Sequence, residues 1–112
     1  MQKLIKKLRE FAKERDWDQF HSPKNLSMAL SVEVSELVEH FQWLTQEESR
    51  NLNTDKLKAI KDEIADIMIF LTMIADKFGI DALEAAREKI KINEKKYPIA
   101  KSKGISSKYT EL

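Results

Sequence analysis

Four carboxylates stand in this sequence as two pairs of equal spacing, Glu33-x-x-Glu36 and Glu63-x-x-Asp66. On a helix, residues three apart lie about 5–6 Å from each other at Cβ, close enough to share one metal ion. Each pair intrudes on an apolar pattern. Glu33 falls inside the stripe Leu26, Leu30, Leu37 and Phe41, with Glu36 at its edge. Glu63 and Asp66 belong to a stretch that is otherwise apolar from Ile64 to Ala75 except for Thr72. Two such pairs on packed neighbouring helices focus up to four negative charges on one spot, where like carboxylates repel or titrate upward. Hard divalent cations with oxygen ligands relieve that repulsion. Magnesium is the abundant one that keeps its waters and takes phosphate oxygens as further ligands. The competing reading is a set of solvated carboxylates paired with Lys58, Lys61 or Lys95. Any single pair fits it, but two pairs on core faces favour the metal. A di-iron site would want a Glu-x-x-His pair from each of two helices; His40 stands four residues after Glu36, so the spacing is wrong.

The elements that must position these groups are helical. A helix apolar on all sides is a membrane span or the centre of a bundle. The run from Ile64 is too short to cross a bilayer and is bounded by Glu63 and Asp76, so a bundle centre is expected, with Asp66 in its driest part. Before it, Leu4, Ile5, Leu8, Phe11 and Ala12 recur at helical spacing over about residues 2–16. Trp17 to Asn25 breaks that pattern, and Pro23 disfavours helix at Ser22. Asn25 is the expected N-cap of a second helix running to about Trp43. Thr45 with Glu48 reads as a capping box opening a short helical turn. The third helix is expected from near Asp55 to Gly79, a natural C′ residue. Asp81 with Glu84 opens a fourth, which stops before Pro98. Residues 1–98 are read as one helical domain and 99–112 as a Lys- and Ser-rich tail with little structure of its own. Four helices with short links predict an all-α, antiparallel four-helix bundle.

Composition narrows the function classes. The 20 basic and 19 acidic side chains leave a formal charge of +1, which gives no support to nucleic-acid binding. No cysteine is present, hence no zinc-thiolate site, disulfide or thiol nucleophile, and a reducing cytoplasm is the expected compartment. The charged, amphipathic N-terminus has no apolar signal core and reads as part of the fold, and no membrane span is expected.

The residues also carry a resemblance. Glu33-Val34-Ser35-Glu36-Leu37 followed by Glu63-Ile64-Ala65-Asp66 is similar to the E-x-x-E…E-x-x-D signature of the MazG-like, all-α nucleoside triphosphate pyrophosphohydrolases. Arg15 to His21, Pro23 to Leu26, Phe41-Gln42-Trp43, Ile92 to Pro98 and Ser107 to Leu112 resemble its dCTP pyrophosphatase branch. The resemblance implies hydrolysis of a (deoxy)nucleoside triphosphate, dCTP or a modified dCTP, between the α and β phosphates. Mg2+ would be held by Glu33, Glu36, Glu63 and Asp66. Water would be the nucleophile, with a cluster carboxylate, Glu36 or Glu33, taking its proton. A homodimer or a homotetramer is implied, in keeping with a central helix that needs more cover than three short neighbours give.

On residue type alone, Trp17 and Trp43 read as core anchors near helix ends and His21 as a satisfied loop histidine. The resemblance turns all three toward the nucleotide base, which aromatic faces stack on. Phe70, one turn beyond Asp66, suits sugar or base contact as well as core packing. Asn93 sits on the stripe of Leu83, Ala86, Ile90 and Tyr97, where a buried amide must be hydrogen-bonded. With Lys96 it falls in the segment that faces the nucleotide in the resembled family. Lys96 also fits an exposed lysine at a helix C-terminus. Lys101, Lys103 and Lys108 either close over the triphosphate or solubilise the tail. Two other functions stand beside the leading one: a house-cleaning hydrolase of broad range, and a non-catalytic helical nucleotide-binding or interaction module.

Overall fold

A computed structural model describes all 112 residues. They form six helices and no strand: α1 (Gln2–Glu14), α2 (Pro23–Glu39), α3 (Gln46–Arg50), α4 (Thr54–Lys77), α5 (Ala82–Lys96) and α6 (Ile99–Ser102), with 3-10 turns at Asp18–Phe20 and Tyr109–Glu111. No helix is long and apolar enough to cross a membrane. The chain forms two compact units, residues 1–79 and 80–112.

In the first unit α4 is the spine, with α1 and α2 packed on it. α2 and α4 run in opposite directions, since Glu33 lies by Asp66 while His40, further along α2, lies by Glu63. Helix boundaries follow from local chemistry. The N-cap of α2 lies three residues before the expected Asn25, because Pro23 holds Ser22 in extended backbone (ψ 154°) and so makes it the cap, its hydroxyl accepting from the Asn25 N–H at 3.2 Å. α2 also ends earlier than expected, at Glu39, and residues 40–44 continue as tight turns. Thr45 and Glu48 form the expected capping box, at 3.1 Å and 2.9 Å. Asn53 caps α4 through the Lys56 N–H at 2.8 Å.

The end of α1 was not legible as a cap. Its last turn closes by a Schellman motif, with Trp17 N–H donating to Ala12 C=O at 2.9 Å and Asp16 N–H to Lys13 C=O at 3.1 Å. Asp16 takes the left-handed position (φ +55°) that glycine usually fills, and its carbonyl and carboxylate both accept from Gln19. α1 is tied to α4 by the two-pronged pair of Arg9 with Asp76, which holds the Asp76 carboxyl below the usual range.

The core is thin. Ala12, Leu26, Ile60 and Ala75 are buried, with Thr72. Within one chain α4 is not covered on all sides. Ile64 (54% exposed), Leu57, Met68 and Leu71 on α4 are open, as are Met28, Val32 and Val38 on α2. Asp66 is likewise exposed rather than set in a dry interior.

In the second unit Asp81 caps α5 through the Glu84 N–H at 3.0 Å, as expected. The stretch after Pro98 is more ordered than a bare tail: α6 follows at once, and Tyr109 meets Tyr97 edge to face at 5.9 Å with the Lys96 ammonium 4.7 Å from its ring centre. Asn93 is exposed on α5, so the buried-amide reason for singling it out falls away.

Gly79 follows α4 with φ +64°, and an added Cβ there would meet nothing within 4 Å. Gly79→Ala therefore carries only a conformational penalty. A loss of about 1 kcal/mol in urea unfolding is expected, with the slope unchanged.

Candidate active site

Opposed helices bring three of the four singled-out carboxylates together. One oxygen from each of Glu33, Glu36 and Glu63 lies within 4.8 Å of the others. Glu33 and Glu36 share a face of α2 because they are three residues apart, and Glu63 faces them from α4. Asp66 stands outside that three-way group, but its charge still pushes up both Glu33 and Glu63.

The electrostatics are those of an uncompensated site. Loss of hydration, then contact with Glu36, pushes the Glu33 carboxyl up to about 7, with Asp66 and Glu63 adding to the rise. Glu63 is raised for the same reasons, opposed in part by His40, whose Nε2 lies 3.8 Å from Glu63 Oε1. Glu33 Oε2 and Glu63 Oε2 are buried with no hydrogen-bond partner. Buried carboxylate oxygens without partners are costly, and a cation is what satisfies several at once. The donors are all hard oxygens, which suits a divalent cation of the magnesium, manganese or calcium kind rather than a thiophilic one. These residues fit a divalent metal.

Beside this cluster lies a cavity of about 440 Å³. Its walls include Trp17, His21, Phe70 and Phe11, and Asp66 reaches it as well. Asp66 thus belongs to both the cavity and the field of the carboxylates. The Schellman turn aims Trp17 into the wall. Phe11 meets Trp17 edge to face at 5.7 Å, and Trp17 meets His21 at 6.2 Å. His21 Nδ1 is buried with no partner, a polar atom left free at a mainly apolar wall. Such a cavity suits a flat, partly polar ring.

Of the remaining singled-out residues, one shares the first unit with this group. Trp43 is 86% exposed in the turn after α2 and lines no part of the cavity. Asn93 and Lys96 lie in the second unit. Sequence reasoning missed Phe11 and Lys7 on the cavity wall and His40 beside Glu63. Phe11 had a signal, its place at the end of the α1 stripe next to a connection rich in aromatics. Lys7, one lysine among many, had none.

A model of the MazG-like family matches residues 28–112 of the chain. The dCTP pyrophosphatase 1 proteins of Bos taurus and Homo sapiens are each 42% identical to it over 105 residues, covering 92% of the chain. The chain spans 62% of the length of these relatives. Among solved structures, a pyrophosphatase from Archaeoglobus fulgidus superposes with a TM-score of 0.82 at 39% identity, over 88% of this chain and 92% of that one.

The raised carboxyls predict how the metal-free protein responds to pH. Glu33 titrates near 4.5 in an unfolded chain and near 7 when folded. The folded state therefore holds more protons between those values, so stability present below pH 4.5 is lost as pH rises through 7. In chelator, the unfolding temperature should fall from pH 5 to pH 7.5, and Glu33→Gln should flatten that fall (roughly the interval between the two titrations).

Proposed function

The chain belongs to the MazG-like family, and from that membership and the site geometry we propose that it is a Mg2+-dependent pyrophosphohydrolase of (deoxy)nucleoside triphosphates, with dCTP or a modified dCTP as substrate and the cytoplasm as its compartment. One observation carries the reading: three converging carboxylates, two of them with a buried, unpartnered oxygen, sit next to an aromatic cavity, joined to it by Asp66. The relatives named for dCTP and the archaeal pyrophosphatase support the same choice.

In this proposal Glu33, Glu36, Glu63 and Asp66 would hold magnesium. When bound, the cation supplies charge neutralisation for the phosphates and a lowered pKa for water. The chain's residues do the rest. The base enters between Trp17, His21 and Phe70, where ring faces stack and His21 Nδ1 meets the base edge. That places the phosphates toward the carboxylates, past Asp66. Glu36 contacts both Glu33 and Glu63 and stands at the centre of the acidic group. It takes the proton as the water oxygen bonds to the α-phosphorus and the bridge to the β-phosphate breaks, releasing a monophosphate and pyrophosphate. Lys96, Asn93 and Trp43 are assigned to the substrate side by family resemblance.

The open apolar faces of α2 and α4 support a homodimer or homotetramer in which a second copy completes the antiparallel bundle around α4. Contiguous exposed apolar area of this kind is a mark of an interface. A hydrolase of broad range is favoured by one feature, the mainly apolar cavity wall, because stacking accepts any base.

Two outcomes test these statements. Pyrophosphate release from dCTP should fall by about 10²–10⁴-fold in Glu36→Gln with the helical signal retained, since a general base and a ligand are lost together. In sedimentation or light scattering the chain should be a dimer or tetramer, and Ile64→Glu should shift it toward monomer, as a charge is placed on a desolvated apolar face.

A further inference from the structure

The rings that line the cavity are poorly supported for groups expected to receive a ligand. Phe11 and Trp17 are 45% and 43% exposed. A ring at the surface has few neighbours to fix its rotamer, and the wall here consists of edge contacts passed from Phe11 to Trp17 to His21. Arg15 lines no part of the cavity. Its guanidinium carbon stands 3.7 Å from the centre of the Phe11 ring, and its Nη1 donates to the Phe11 carbonyl at 3.1 Å. Glu14 Oε2 lies 3.7 Å from the same nitrogen. The side chain is thereby anchored to the backbone of α1 while its guanidinium stands over the ring.

We propose that Arg15 is a positioning residue that braces the Phe11–Trp17–His21 wall and so sets affinity for the base without touching it. The proposal rests on the reading that this cavity takes the base. The chemistry is specific to arginine. A guanidinium stacks flat on a ring while donating in its own plane, whereas a lysine ammonium offers a point charge and no plane. The brace acts in series with the Schellman turn: Asp16, held left-handed at φ +55°, sets the direction of Trp17 from the backbone, and Arg15 sets its neighbour Phe11 from the side. Without the brace Phe11 gains rotamer freedom, Trp17 loses its edge partner, and part of the ordering cost moves to the binding step.

The test labels the full chain with 5-fluorotryptophan, giving one 19F signal each for Trp17 and Trp43, assigned by Trp43→Phe. In Arg15→Ala the Trp17 signal should broaden and move toward the solvent-exposed position of the Trp43 signal. KM for dCTP with magnesium should rise about 2–5-fold with kcat unchanged, the size expected for an exposed cation–ring contact. Arg15→Lys should fall between wild type and Arg15→Ala in both readings. A purely structural role would lower the unfolding temperature yet leave KM unmoved at an assay temperature where the protein is folded. An unmoved Trp17 signal overturns the brace. So does an unchanged KM in Arg15→Ala when Trp17→Ala raises it, or a loss confined to kcat. If Trp17→Ala itself leaves KM unchanged, the base-pocket reading falls and takes the proposal's functional half with it, while the 19F signal still decides whether Arg15 braces the wall.

Discussion

Like charge held out of water is the constraint on which the site depends. Glu33, Glu36 and Glu63 converge from two opposed helices, with Asp66 adding its field, and His40 is the one basic side chain within 4 Å of them. Two of their oxygens are buried without partners. Left alone, such a group answers by taking up protons, which is what the raised Glu33 and Glu63 carboxyls express. A divalent cation answers the same problem without protons and leaves coordination positions for phosphate oxygens. The packing of α2 against α4 thus holds a charge arrangement that favours a ligand over an empty site.

The rest of the first unit serves that arrangement. Capping at Ser22 and Asn53 fixes where α2 and α4 begin, and hence which turns of each meet. Arg9 with Asp76 ties α1 to α4, which keeps one wall of the aromatic cavity on the helix that carries Asp66. A left-handed aspartate then turns the chain so that Trp17 and His21 complete the wall. Helix ends, more than helix interiors, decide where the reactive groups stand.

Much of this was legible in the sequence because it rests on period and cap chemistry. The two carboxylate pairs, the capping box at Thr45, the N-cap at Asp81, and Gly79 after α4 are local patterns with local causes. What was not legible depends on tertiary context or on an unusual residue in a familiar place. Asp16 does the work of glycine, so the end of α1 carried no glycine signal. Pro23 can either break a helix or open one, and here it opens α2 with Ser22, not Asn25, as the cap. The apolar surroundings of Asp66 suggested burial. Within one chain its neighbours Ile64 and Met68 face solvent, because composition records hydrophobicity but not which chain covers it. Asn93 and Trp43 illustrate the same limit, since both are exposed where a buried or stacked side chain was expected.

The most direct test of the account is a calorimetric titration of Mg2+ into the metal-free protein at pH 6.5, repeated in buffers of different ionisation enthalpy. At that pH Glu33, pushed up to about 7, is largely protonated. Saturable binding should therefore expel a proton, seen as a heat that scales with the buffer, and Glu33→Gln should reduce the proton release. Absence of saturable binding would contradict the claim that these carboxylates are gathered to hold a cation, and binding with no proton release would contradict the raised Glu33 carboxyl.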